Sequence, residues 1–293
     1  MRRALHLFSG GLDSILSYKI LQESNIDVEA VYFETPFFPS AGAVEFGRLN
    51  GIKVRIINIF PEYINLIKSP KYGYGKNLNP CIDCHAMMIN RALKILEEEN
   101  FDFVSTGEVL GQRPMSQTKG GFKKQETLLE RRDVVFRVLS QDDSINKEIY
   151  KGIPKIRIIG RERIIQIQMA KERGITKYQT PSGGCYLTYK EYSAKARGLL
   201  KKNFLEERYF YMIKRGRFVE FENAVAVIGR DEFDNTALLE MRQNEDALQI
   251  ESGKGPVSLI IGRLNEIEKD RLKEILLSYS KKRSDEKDLI CSI

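Results

Sequence analysis

The sequence predicts an α/β fold, a doubly wound parallel sheet followed by a smaller C-terminal α+β domain. Three observations predict it. Apolar runs of strand length alternate with segments of helical period over the first hundred residues, a glycine-rich turn joins the first strand to the first helix, and the chain changes character near residue 206.

Residues 4 to 8 (Ala-Leu-His-Leu-Phe) form a short apolar run, and residues 14 to 22 place apolar groups at helical spacing. The pattern continues with Val28 to Phe33 as a strand, Ala41 to Leu49 as a helix and Lys53 to Ile59 as a strand. His85 to Glu98 then reads as a helix and Phe101 to Ser105 as a strand. Between them, Pro70, Gly73, Gly75, Asn77, Asn79 and Pro80 mark a long loop, and long loops at strand ends commonly carry function. A helix over 161–173 runs into Gly174. Thr180-Pro181-Ser182-Gly183-Gly184-Cys185 then reads as a turn, and a basic helix follows over 189–202. Residues 208–221 look like a strand hairpin, with strands at 224–228 and 257–261 and a helix near 265–279. The expected division is therefore 1–160, a helical segment 161–205 carrying the second cysteine turn, and a small domain 206–293.

With 293 residues and 42% hydrophobic composition, the chain can bury a sizeable core. The first residues are too short an apolar run for a secretory signal and no later stretch has the length of a membrane span, so the reading is cytoplasmic, with no membrane partner. The net charge of +7 is uneven. Residues 1–150 hold 19 basic and 19 acidic groups and residues 151–293 hold 28 and 21, so a polyanion would meet the second half first; a solvated basic surface is the plainer alternative. Four cysteines this widely spread do not make a disulfide framework.

Ser9-Gly10-Gly11-Leu12-Asp13-Ser14 lies between the first strand and the first helix. Glycines there let the backbone turn tightly and aim several N–H groups at one point, where the helix dipole adds positive character, so the loop suits a pyrophosphate. No Gly-Lys-Ser/Thr follows, which excludes a Walker A loop; Asp13 and Ser14 are placed to meet Mg²⁺ or phosphate oxygens. An ordinary tight turn with Asp13 as a cap is the alternative.

Asn79-Pro80-Cys81-Ile82-Asp83-Cys84-His85 puts two thiols on one turn entering a helix, where the dipole favours thiolate, and Cys185 sits in the second glycine turn. Three thiolates with one position open suit a [4Fe-4S] cluster, or a Zn²⁺ completed by His85, Asp83 or water; small buried hydrophobes are the alternative. Cys291 lies in a charged tail and is set aside.

The glycine loop resembles that of the PP-loop (N-type ATP pyrophosphatase) superfamily, of adenine nucleotide alpha hydrolase-like fold, whose members cleave ATP to AMP and pyrophosphate while adenylating a substrate oxygen. The resemblance implies a nucleotide site of Phe8, Ser9, Gly10, Gly11, Leu12, Asp13, Ser14, Tyr32, Phe33, Thr106 and Gly107, near Ser105 and Glu108. With the Asn-Pro-x-x-x-Cys motif, the Thr-Gly pair and a later cysteine in a glycine turn, the chain is similar to tRNA thiolation enzymes, especially tRNA 2-thiouridine synthetases. That implies Asp13, Cys84 and Cys185 as catalytic residues. Cys81 stands where cluster-free relatives usually carry Asp, and Glu108 where they usually have His, so the extra thiol resembles the iron–sulfur branch, with Cys81, Cys84 and Cys185 as metal ligands. The order of parts covers Phe8 to Leu187. Beyond it, Ser252-Gly253-Lys254-Gly255-Pro256-Val257 resembles the RNA-binding domain of NFACT proteins.

Arg113, Lys123, Lys124, Lys201, Lys202 and Arg215 are candidate RNA contacts, some interleaved with aromatic residues; solvated loops and strand core are the alternative readings. The expected activity is an ATP-dependent tRNA sulfurtransferase making thiouridine, with ATP, Mg²⁺ and a [4Fe-4S] cluster, or Zn²⁺ in its place. Expected partners are tRNA and a sulfur donor, sulfide or a persulfide carrier, with a homodimer as the assembly. The rivals are an amidating PP-loop ligase acting on a small molecule and a non-catalytic RNA- or zinc-binding protein.

Overall fold

The computed structural model describes residues 1–141, 148–149, 151–180, 184–250, 255–279 and 290–292. The chain divides into two compact units, Met1–Thr188 and Tyr189–Ile293. The stretch 161–205 is thus shared between them.

The first unit alternates strands and helices in order: β1 (Arg3–Leu7), α1 (Leu12–Glu23), β2 (Asp27–Glu34), α2 (Ala41–Leu49), β3 (Val54–Asn58), α3 (Phe60–Lys68), α4 (Cys81–Glu99), β4 (Phe103–Thr106), α5 (Lys119–Glu126), β5 (Val135–Arg137) and α6 (Ile164–Glu172). The sheet is wholly parallel, as the alternation predicts, and its strand order is β3-β2-β1-β4-β5. Strand order reverses between β1 and β4, and a ligand crevice is expected outside the carboxyl ends of strands at such a switch point. Ala4, Leu5, Val31, Phe103 and Val104 form the buried middle of the sheet. Helix α3 is not among the elements expected from sequence, although its signal is there: Phe60, Tyr63, Ile64 and Ile67 recur at helical spacing, Pro61 starts the first turn, and all four apolar residues are buried.

His6 locks the crossing point. Its Nε2 lies 2.9 Å from the Ser14 carbonyl oxygen and its Nδ1 2.9 Å from Ser105 Oγ, and burial lowers its pKa to about 4. The ring is therefore neutral; Nε2–H donates to the carbonyl, and the Ser105 hydroxyl donates to Nδ1. One side chain thereby ties β1, β4 and the start of α1 together.

The second unit contains α7 (Lys190–Lys201), α8 (Glu207–Met212), β6 (Arg217–Glu220), β7 (Ala224–Ile228), α9 (Glu232–Met241), β8 (Asp246–Ile250), β9 (Ser258–Gly262), α10 (Glu266–Ser278) and β10 (Ile290–Ser292). Its sheet is antiparallel, in order β10-β8-β9-β7-β6. Leu272 and Leu276 of α10 pack on Ala224, Ala226, Ile228 and Ile260. The hairpin expected over 208–221 is corrected: its first half is helix α8, because Tyr209, Phe210 and Met212 bury one helical face, and only 217–220 is strand. An Asn265 side chain accepting from Glu268 N–H, with Glu268 returning a bond to the Asn265 N–H, starts α10.

Candidate active site of the first unit

The glycine loop follows β1 at the sheet's carboxyl edge. Gly10 adopts φ +74° and a Cβ there would stand 3.0 Å from Ala43 Cα, so only glycine fits the turn without strain. The Ser14 hydroxyl organises the turn: it accepts from Ser9 N–H at 3.2 Å and donates to Gly11 O at 3.0 Å. Gly107, after β4, lies against the same turn, and a Cβ would come within 2.8 Å of Asp13 C and O and Ser14 N. The Thr-Gly pair thus serves close approach of two backbones, and Thr106 Oγ1 bonds within its own loop to Glu108. Phe8, Leu12 and Phe33 are core side chains, and the Tyr32 hydroxyl donates to the Phe38 and Pro39 carbonyls.

Asp13 does not simply cap α1. Its Oδ2 accepts from the Gln112 amide and from Arg163 Nη2 at 3.0 Å, while Gln166 Nε2 donates to Gln112 Oε1 at 3.2 Å. Neither Arg163 nor Gln166 is singled out by the sequence, and both come from the region of α6. Gln179 also joins the loop, donating its N–H to Gly10 O at 2.8 Å.

The thiols meet at the same carboxyl edge. Cys81 and Cys84 occupy the first turn of α4, with the Asn79 amide 3.2 Å from Cys81 Sγ. Cys185 arrives through a short turn pinned on both sides: Tyr186 N–H donates to Phe37 O at 2.7 Å after β2, and Leu78 N–H donates to Leu187 O at 3.3 Å. Residues 181–183 of that glycine turn lie outside the described residues. Burial raises the Cys84 thiol well above its ordinary range, and the charges of Cys185 and Cys81 raise it further. Cys185 is pushed up to about 12, mainly by burial, against a bond from the Leu187 backbone that lowers it and with Cys81 adding to the rise. At Cys84 the expectation that the helix dipole would favour thiolate is corrected: desolvation outweighs it. Two tyrosines line these thiols. Tyr63 is fully buried, its pKa is raised by burial and then by Cys84 and Cys185, and its hydroxyl lacks a partner of regular hydrogen-bond geometry among the described residues. Tyr32 is raised by burial, then by Cys185.

The side chains offered to complete a zinc site are engaged elsewhere. Asp83 accepts the Lys71 N–H at 2.7 Å and the Tyr72 N–H at 3.1 Å, tying down the loop over 70–72. His85 Nδ1 is 2.8 Å from Glu108 Oε1. Among the described residues no three His, Cys, Asp or Glu groups are spaced to hold one metal ion. Cys81 and Cys185 both raise the Cys84 thiol, and Cys81 raises that of Cys185, so the three sulfurs lie in one neighbourhood. Glu108 is the buried centre of a separate network. Burial would raise its pKa, but His85 and the Arg137 guanidinium, whose Nε is 3.3 Å away, hold it at about 2.

Of the candidate RNA contacts, Arg113 and the pair Lys123 and Lys124 at the end of α5 belong to the first unit. In the second, Lys201 ends α7, Lys202 donates to Glu222 O at 2.7 Å, and the Arg215 guanidinium stacks 4.7 Å from the ring centre of the exposed Phe233. No described helix is long and apolar enough to cross a membrane.

Residues 216–291 match the family described as the NFACT protein RNA binding domain, a span that includes residues 251–254 and 280–289 outside the described set. The chain is 28% identical over 119 residues to the tRNA-specific 2-thiouridylase MnmA of Sulfurimonas denitrificans, covering 37% of this chain and 35% of that protein. It is 24% identical over 164 residues to the MnmA of Campylobacter curvus, covering 50% of this chain and 48% of the other. The chain thus spans between about a third and a half of the length of these curated relatives. A solved 4-thiouridine synthetase–RNA complex with bound ATP is 23% identical, with 61% of this chain and 54% of that one covered and a TM-score of 0.38. At low identity, and over part of their length, the chain is thus similar to proteins named as tRNA thiouridylases.

Proposed function

We propose that this chain, whose first unit has the PP-loop architecture, is an ATP-dependent tRNA sulfurtransferase that makes a thiouridine. The observation that carries the reading is the convergence of Cys81, Cys84 and Cys185 at the sheet edge that also bears the Ser9–Ser14 turn. A plain adenylating ligase has no use for one buried and two half-buried thiols gathered beside its phosphate turn.

The chemistry balances without an oxidant. A uridine carbonyl oxygen attacks the α-phosphate of ATP, an O–P bond forms, and the bond to pyrophosphate breaks with its electron pair leaving on pyrophosphate. Sulfide from a donor then adds to the activated carbon, and the C–O bond breaks with AMP as leaving group, so the uridine oxygen departs in AMP. The main-chain N–H groups of the glycine turn hold phosphate, Asp13 stands beside them, and Cys84, the buried thiol of the three, is shielded from water. Cys81, Cys84 and Cys185 would hold a [4Fe-4S] cluster, which when bound supplies an open iron for sulfide. Arg113, Lys123 and Lys124 and the Arg215–Phe233 stack would contact tRNA phosphates and bases.

Nucleoside mass spectrometry of tRNA from a strain lacking the gene tests the function. One thionucleoside should vanish and return with the wild-type gene but not with Cys84→Ala; an unchanged nucleoside profile would overturn the proposal. Anaerobic purification with iron and acid-labile sulfide analysis tests the cluster separately, and stoichiometric zinc without iron would reject it.

A further inference from the structure

The ion pair between Asp13 and Arg163 is incomplete in a particular way. Asp13 Oδ2 takes both the Gln112 amide and Arg163 Nη2, but Asp13 Oδ1 is buried without a partner among the described residues. Arg163 Nε is likewise buried without one, as is the Oε1 of Gln166, a fully buried residue in the first turn of α6. Two orphaned acceptors and one orphaned donor therefore cluster beside the turn whose N–H groups open α1. Native interiors rarely leave such groups unmet, and a cluster of them marks a place that a ligand completes.

The complement of this cluster is a species that is anionic toward Arg163 Nε and carries a cation or a proton donor toward Asp13 Oδ1. A magnesium-bound polyphosphate has that character, and the adjoining glycine turn is already shaped for phosphate. We propose that Arg163 is a ligand of the pyrophosphate part of ATP, held through Nη2 by Asp13, whose carboxylate Gln112 also binds, and offering Nε to the phosphates when the nucleotide enters. This rests on the ATP reading above and names a residue outside the glycine loop for it. As the uridine oxygen bonds to the α-phosphate and the bond to pyrophosphate breaks, the guanidinium neutralises the charge that collects on the leaving group, without itself gaining or losing a proton. The fixed fork of the guanidinium suits this role, since Nη2 can keep Asp13 while Nε meets an oxygen.

Arg163→Lys keeps a cation for Asp13 and so preserves the fold, but removes Nε; Arg163→Ala removes both. Isothermal titration of the full chain with magnesium pyrophosphate, Mg-ATP and AMP should show pyrophosphate and ATP weakened at least tenfold in Arg163→Lys, with AMP unchanged. ATP–pyrophosphate exchange lost in Arg163→Ala should recover several-fold with added guanidinium ion, a recovery that a merely structural arginine would not give. If wild type binds the probes and a folded Arg163→Lys binds them equally well, the assignment is overturned and an ordered water is the occupant. If wild type binds neither ATP nor pyrophosphate, it is the ATP reading itself that fails.

Discussion

Glu108 shows at the scale of one residue how a buried carboxylate is accommodated. It is tolerable in the interior because His85 and Arg137 both face it, with Gln125 3.5 Å away. Glu108→Gln leaves Arg137, itself nearly buried, with only the half-exposed Glu126 as a charged partner among the described residues. With a folded pKa of about 2 against an ordinary glutamate value of 4.5, the unfolded chain takes up the proton first as pH falls, so this contribution to stability is complete above 4.5 and is lost between 4.5 and 2. Denaturant unfolding at pH 7 should show Glu108→Gln destabilised by roughly 3 kcal/mol. The gap from wild type should close as pH falls through that window. A variant within about 0.5 kcal/mol of wild type at pH 7 would show that the pairing contributes nothing net.

At the scale of elements, Gly107 joins two structures that the sequence shows only as separate motifs. Its missing side chain lets the end of β4 sit on the Asp13–Ser14 backbone, where neither neighbour can move without disturbing the phosphate turn. Gly107→Ala should therefore cost about 1–3 kcal/mol in unfolding experiments and weaken Mg-ATP binding at least tenfold. Unchanged ATP affinity would show that the turn is not positioned by this contact. Legibility in the sequence divides along the same line. The bounds of α2 and β7 are readable because local period and breakers decide them, and the parallel direction of the strands follows from alternation. Helix α8 is misread because Tyr209, Phe210 and Tyr211 fit strand and helix alike, and tertiary burial of one helical face decides between them. The three cysteines stand out in the sequence because Pro and Gly lie close to them. The set of Asp13, Gln112, Arg163 and Gln166 does not, because polar groups so far apart in sequence carry no local pattern; only the fold brings α6 against α1.

At the scale of the whole molecule, charge supplies a test that no single site can. The entire net charge of +7 lies in residues 151–293, and the match to an RNA-binding family falls within that half. If tRNA is held there through phosphates, its affinity must fall with salt, because each neutralised phosphate releases a counterion and contributes roughly 0.7–0.9 to the slope of log K against log salt concentration. Lys201, at the end of α7, and Arg215, stacked on exposed Phe233, are separable cases. A lysine that meets only phosphate should, on Lys201→Ala, weaken binding to every tRNA alike and flatten the slope by about one contact. Phe233→Ala removes a ring on which a base can stack; it should weaken binding by about 1–3 kcal/mol with the slope unchanged. Filter binding of tRNA across a salt series for wild type and both variants measures this directly. Slopes that coincide for all three proteins, with affinities intact, would move the RNA surface away from α7 and the Phe233 platform, leaving Arg113, Lys123 and Lys124 of the first unit as the contacts to substitute next.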